Sequence, residues 1–282
     1  MNKLFRTLLL GGAVCAALSS CTKSDSNDTV IQYPLAGCFA MVADLNDGNV
    51  SYYQGVNYET EINVTQATAT MSMTGLELPS GVKYPAISLK NLKVGADQGW
   101  TAVSAATPAV SVPGFGSVPS FKDFDLHIYD RMIGNLYVPG VMISYIVDGH
   151  YKVFSSREGQ IVFGTTTSTG PDGNAFKNTE ATIGLTFDTK TMKVMVELPG
   201  SQFASGMPAQ NIVFKDVPFS MNVDGEASFE MAALTPFIGD TPYPQFPISD
   251  LKAVYNFKTG LTMNFTCTIG PMPYKVEVTG KY

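Results

Sequence analysis

The sequence predicts an all-β protein made of two tandem antiparallel meander units, and three observations carry that reading. Apolar and polar residues alternate with a period of two, turn sequences punctuate the alternation, and the two halves of the chain repeat each other in order. Leu261, Met263, Phe265 and Cys267 alternate with Thr262, Asn264, Thr266 and Thr268, as a strand with one buried face requires. Ile183, Leu185 and Phe187 share one face, as do Val194, Val196 and Leu198 after a turn at Asp188–Lys190. Asp148-Gly149 and Asp224-Gly225 read as two-residue hairpin turns, because those turns favour positive φ. Lys258-Thr259-Gly260 reads as a longer hairpin loop with glycine at its left-handed position.

The self-similarity has a period of roughly 120–128 residues. Ala106-Thr107-Pro108 recurs as Leu234-Thr235-Pro236, and Ser88-Leu89-Lys90-Asn91-Leu92 recurs as Val213-Phe214-Lys215-Asp216-Val217. Thr70-Met71 with Glu77-Leu78-Pro79 is echoed by Thr191-Met192 with Glu197-Leu198-Pro199. The segment 143–147 followed by Tyr151-Lys152-Val153 matches 263–267 followed by Tyr274-Lys275-Val276. The expected organisation is residues 1–20 as a signal, 21–31 as a tether, 32–157 as a first β repeat and 158–282 as a second. Two β-sandwich-like domains fit the pattern best, and one sheet or barrel sharing strands from both halves is the alternative.

The start is chemically explicit. Lys3 and Arg6 precede an apolar run from Thr7 to Leu18, the layout of a secretory signal too short to span a bilayer. Leu18-Ser19-Ser20-Cys21 resembles the lipobox of bacterial lipoproteins, which implies acylation of Cys21 as the mature N-terminus. Two or three acyl chains, at about 0.8 kcal/mol per buried methylene, anchor a protein stably. The polar stretch 22–29, with Asp25 and Asp28, resembles that of Bacteroidota-type surface lipoproteins, and Asp28-Thr29-Val30 resembles their O-glycosylation acceptor. This resemblance implies the outer membrane, with the cell surface preferred and the periplasmic leaflet as the alternative.

Removing residues 1–20 takes two of the 18 basic residues and none of the 24 acidic ones, so the net charge moves from −6 to about −8. That balance argues against nucleic acid and anionic headgroups as partners, since both need basic patches. Cys38 and Cys267 are the cysteines left after cleavage and lipidation. An oxidising envelope would let them pair, and two separate buried thiols is the other reading.

Catalytic chemistry has little to work with. His127, between Leu126 and Ile128, falls on the polar side of a strand with Asp125 and Tyr129 and reads as solvated. His150 follows a hairpin turn, and neither histidine has a supporting motif for a triad. Gly114-Phe115-Gly116 opens no helix, and Asp44, Asn46 and Asp47 before Gly48 read as a turn. No catalytic residue, metal ligand or cofactor is therefore assigned.

Binding is the better class. The Pro- and Gly-rich segments 108–119 and 236–247 hold equivalent places in the repeats and carry Phe115 in one, and Phe237, Tyr243 and Phe246 in the other. Long loops on rigid β scaffolds often carry recognition, although such aromatics also cap cores. Trp100 suits a core role or a sugar platform. The leading expectation is a lipid-anchored, non-catalytic binding or accessory module for a glycan or another envelope protein. A fimbrial-type subunit is one alternative, weakened because no Arg lies between Cys21 and Arg131 to match the fimbrillin processing site. A calycin-like carrier of a hydrophobic ligand is another, and the 13 methionines would suit its pocket.

Overall fold

A computed structural model describes residues 22–23, 28–97, 99–129, 132–133, 136–137 and 140–282, so the signal and Cys21 lie outside the described residues. Two compact units divide between Arg157 and Glu158. Each is an antiparallel barrel of eight strands closed on itself.

In the first unit β1 (Thr22–Lys23) pairs with the start of β2 (Thr29–Asp44). The wall continues through β3 (Val50–Asn63), β4 (Thr68–Thr74), β5 (Ile87–Asp97) and β6 (Trp100–Ala105). A short β7 (Ala109–Ser111) lies along β5 before β8 (Phe121–Tyr129). A hairpin of β9 (Met132–Ile133) and β10 (Leu136–Tyr137) then leads to β11 (Gly140–Val147) and β12 (Tyr151–Arg157). β12 pairs back onto β2, from Tyr151 opposite Asp44 to Arg157 opposite Cys38, and closes the wall.

The second unit repeats this plan. Its wall runs β13 (Gly159–Thr169), β14 (Ala175–Asp188), β15 (Lys193–Ser201), β16 (Gln210–Met221) and β17 (Glu226–Leu234). Two short strands, β18 (Phe237–Ile238) and β19 (Thr241–Pro242), follow, with β18 lying along β16 as β7 lies along β5. β20 (Ile248–Asn256), β21 (Gly260–Ile269) and β22 (Met272–Lys281) complete the meander, and β22 pairs with β13.

The all-β tandem expectation holds, with one refinement: each repeat closes as a single barrel instead of two facing sheets. Alternation specifies which side chains point inward; it is silent on whether the last strand finds the first. Strand β2 also begins earlier than the expected tether end, so residues 29–31 belong to the wall. The Asp28 carboxylate accepts from the Asn63 and Gln66 side chains (3.1 and 2.8 Å), and the Val64 N–H donates to the Thr29 carbonyl at 2.9 Å.

Backbone conformation shows which repeat matches are structural. Ala67 and Met192 (φ 51° and 55°), Asn91 and Asp216 (60° and 58°), and Asp123 and Asp250 (50° and 55°) occupy equivalent places. The last two pairs sit at equivalent β-bulges, which bend the wall where the register shifts. Ser88–Leu92 and Val213–Val217 are therefore true counterparts. Met192, by contrast, lies in a turn equivalent to Ala67, so its match with Met71 is fortuitous; Met71 pairs within β4 like Val196 within β15. Asp224-Gly225 also differs from expectation, because the connection runs from Asn222 to Gly225 and Asn222 Oδ1 caps it by accepting the Asp224 and Glu226 N–H groups.

Both interiors are filled by side chains. In the first barrel the Tyr58 and Tyr145 hydroxyls meet at 3.5 Å, and Phe121 packs on Tyr145 at 5.2 Å. Burial pushes the Tyr58 and Tyr145 phenols well up from their ordinary range. In the second, Gln160 Oε1 accepts from the Tyr282 and Tyr255 hydroxyls at 2.7 and 3.3 Å, fastening the end of the chain to the first wall strand. Phe187 packs against Tyr255 and Phe257 beside them. Among the described residues, these side chains fill the space that a carrier barrel would give to its ligand.

Cys38 and Cys267 are separate buried thiols, so the proposed pairing is not formed. Each side chain faces the interior of its own barrel among buried apolar neighbours, where sulfur packs as a small hydrophobe. Burial pushes the Cys267 thiol up to about 12.

The second closure seam is built on a glycine pair. Gly164 lies opposite Gly280, and a Cβ on Gly164 would fall 1.8 Å from the Thr279 carbonyl oxygen. Gly164→Ala therefore forces the two backbones apart, and the expected loss is about 2–3 kcal/mol in urea unfolding. A loss within the error of the measurement would refute this account of the seam.

Candidate functional site

An up-and-down meander gathers alternate connections at the same end. In the first barrel the connections 45–49, 75–86, 106–120 and 148–150 share one end, here called the loop rim. In the second, 170–174, 202–209, 235–247 and 270–271 do so. The Pro-rich segments 108–119 and 236–247 thus occupy the same place in their respective barrels.

The rim of the first barrel is tied together by two main-chain bonds and one to a carboxylate. The Leu45 N–H donates to the His150 carbonyl at 2.8 Å, the Asp148 N–H to the Ser120 carbonyl at 2.9 Å, and the Ser120 N–H to Asp148 Oδ1 at 2.9 Å. Val112 plugs the core, while Phe115 is half-buried against Tyr84 with ring centroids 5.2 Å apart. Phe115 is therefore part of the aromatic lid. Beside it the Glu77–Lys83 ion pair closes at 2.8 Å, and both charges act on the half-buried Tyr53. Tyr53 and Tyr84 phenols are pushed up, first by burial, with the Asp148 carboxylate adding to Tyr84.

Three large aliphatics stand in solvent on this same rim: Leu45 is 51% exposed, Val50 44% and Val118 57%. Asp44 and Asp47 serve as turn caps, accepting the Asn46 and Asn49 N–H groups at 2.9 and 2.8 Å. The arrangement offers exposed aliphatic contacts, tyrosine rings and acidic acceptors on a rigid base. Sequence reasoning missed Leu45, Val50 and Val118; the signal available was a bare Leu inside an Asp-Leu-Asn-Asp-Gly turn.

In the second barrel Phe237 lies beneath Lys215, whose Nζ sits 4.2 Å from the ring centroid and 3.7 Å from Asp240. Tyr243 and Phe246 pack against each other with ring centroids 4.9 Å apart and planes tilted by 56°, half-buried, with the Tyr243 N–H donating to the Pro236 carbonyl at 2.8 Å. Phe203 from the neighbouring connection plugs the core against Phe265. The expected loop aromatics therefore form two local clusters, Phe237 with Lys215 and Tyr243 with Phe246.

His127 departs from its expected solvated state. The alternation places it outward correctly, yet it is 3% exposed. Its ring lies between Asp97 (Nε2, 3.1 Å) and Asp125 (Nδ1, 3.3 Å), with the edge of Trp100 alongside. Trp100 is itself buried against Tyr129 at 5.1 Å, which excludes it as an open sugar platform. His150 is half-buried against Tyr151, and its Nδ1–H donates to the Asp148 carbonyl at 2.9 Å.

No family model matches the chain, and no curated protein matches it. Among solved structures it is distantly similar to transferrin binding protein B of Haemophilus parasuis, a vaccine antigen. A double mutant of that protein matches at 10% identity and a TM-score of 0.25, covering 89% of this chain and 76% of the other. A single mutant matches at 9% identity and a TM-score of 0.23, with the same coverage.

Glu197 supplies a pH prediction. This outward residue of β15 is 5% exposed, and desolvation raises its carboxyl to about 7 against a partial opposing pull from Lys215. The folded state therefore holds the proton more tightly than the unfolded chain. Its stabilising effect is complete below the ordinary carboxyl range and is lost as pH rises through about 7. Melting temperature should fall between pH 5 and pH 8, and Glu197→Gln should flatten that slope; an unchanged slope in the variant would remove Glu197 from the account.

Proposed function

We propose that the chain is a lipid-anchored, non-catalytic envelope protein that binds a glycan or another envelope protein through the loop rim of its first barrel. The observation that carries this reading is the shared position of Leu45, Val50 and Val118. Exposed aliphatics otherwise scatter singly over a surface, whereas these three stand at the same end of one barrel as the Tyr84–Phe115 pair. The lid lies at the opposite end of the strands from β1. A barrel tethered at one end and adhesive at the other suits outward presentation at the cell surface. The filled lumens support recognition by the outer surface over storage of a ligand inside.

The anchor is tested by metabolic labelling with an alkynyl fatty acid. The wild-type chain should incorporate label and resist extraction by high salt, and Cys21→Ser should do neither. The rim is tested by photocrosslinking on intact cells from a benzoyl-phenylalanine placed at Val118, with Val254 on the second barrel's wall as comparison. Adducts from Val118 that disappear on Leu45→Asp/Val50→Asp support the rim. Equal adducts from both positions, or none from Val118, would count against it.

A further inference from the structure

The two barrels share one plan, so a row of side chains that differs between them is not dictated by the wall. In the first barrel Ser72, Ser88 and Ser111 lie opposite one another on β4, β5 and β7. The equivalent row in the second barrel reads Glu197, Val213 and Phe237, on β15, β16 and β18. A carboxyl, an aliphatic and a ring thus stand where the first barrel has three small hydroxyls.

Lys215 lies two residues along β16 from Val213 and is a diagonal neighbour of both Glu197 and Phe237. A long side chain reaches across that diagonal in either direction. Here it turns toward β18, with Nζ 4.2 Å from the Phe237 ring centroid and 3.7 Å from Asp240 in the β18–β19 turn. On its other side Glu197 is 5% exposed, and Glu197 Oε2 has no hydrogen-bond partner among the described residues. A neutral carboxyl tolerates that position, whereas a buried carboxylate needs a counter-ion. Lys215 is the cation that acts on it. The β14 positions beside Glu197 are Thr182, Gly184 and Thr186, which carry no charge. Further along β15 and β16, Lys193 and Asp216 are joined to each other at 3.3 Å.

One ammonium therefore has two carboxyl groups within its range, Asp240 on the hairpin and Glu197 on the wall. The hairpin has little else to hold it. Among the described residues β18 pairs with β16 only through Phe237 and Ile238, and β19 pairs only with β18. A two-stranded hairpin without further packing is marginal in water.

We propose that the β18–β19 hairpin is a pH-dependent strap beside β16, clasped by Lys215 while Glu197 is neutral and loosened when Glu197 ionises and draws Lys215 away. Burial raises the Glu197 carboxyl to about 7, which places the change near neutrality. The strap runs directly into the segment bearing Tyr243 and Phe246, so loosening it releases the aromatic pair of that rim. It belongs to the second barrel alone and is independent of the lipid anchor and of the first barrel's rim.

The test is hydrogen–deuterium exchange of the full chain read by mass spectrometry at pH 5 and pH 8, with labelling times scaled to the intrinsic exchange rate. At times over which β21 stays unexchanged, the amides of 237–241 should exchange about fivefold faster at pH 8, the scale of an exposed cation–π contact with an ion pair. Glu197→Gln should keep the strap protected at both pH values. Lys215→Met retains the apolar stem without the ammonium, so the strap should be loose at both. Equal protection of 237–241 at the two pH values in the wild-type chain overturns the proposal. So does exchange of 237–241 only together with β21, because the whole barrel then opens as one. A wild-type pH response that survives in either variant overturns it as well. The wild-type comparison decides the matter even where a variant fails to fold.

Discussion

Pairing of the first wall strand with the last is the constraint on which the rest of this protein depends. Once β12 meets β2, and β22 meets β13, each wall closes on itself. Closure also determines what the interior can be. A barrel of this size has room for its own side chains, and here Tyr58, Tyr145, Phe121, Phe187 and Tyr255 take it. The seam partners come from opposite ends of each repeat, so the chain pays a large loop-closure entropy before the ladder forms. Features that secure the seam follow from that cost: the facing Gly164 and Gly280 allow close approach, and the Gln160–Tyr282 bond fastens the final residue.

Duplication separates scaffold from surface. The paired bulges at Asn91 and Asp216, and at Asp123 and Asp250, recur because both walls must bend at the same places. Connections are under no such demand. At one end, the equivalent Pro-rich segments place Phe115 on an aromatic lid but Phe237 under a lysine. At the other, a three-residue turn in the second barrel is replaced by an apolar hairpin in the first. The polar exceptions on the walls, His127 between two carboxylates and the desolvated Glu197, point outward from their strands and are nevertheless covered.

Much of this was legible in the residues. Alternation along 183–187, 194–198 and 261–267 identified inward faces that the structure keeps, because a period of two is a local property of an extended chain. The repeat was legible where it reflects a bulge, as at Ser88–Leu92, and misleading where two short words coincided, as at Met71 and Met192. His127 was assigned to the correct face and the wrong environment, since nothing in strand periodicity reports that Trp100 lies beside it. Leu45, Val50 and Val118 were invisible as a group, because the β2–β3 connection and the segment before β8 share one end of the barrel only once the wall has formed.

The sequence by itself determined the all-β class, the tandem repeat and the inward face of most strands. All of these depend on neighbours within a few residues, or on counting. Only the tertiary structure decided that each meander closes into a barrel, that Cys38 and Cys267 stay as separate thiols, and that three aliphatics share a rim. Those outcomes depend on which distant strands pair and at what register, and a period of two is the same in an open sandwich and in a closed wall.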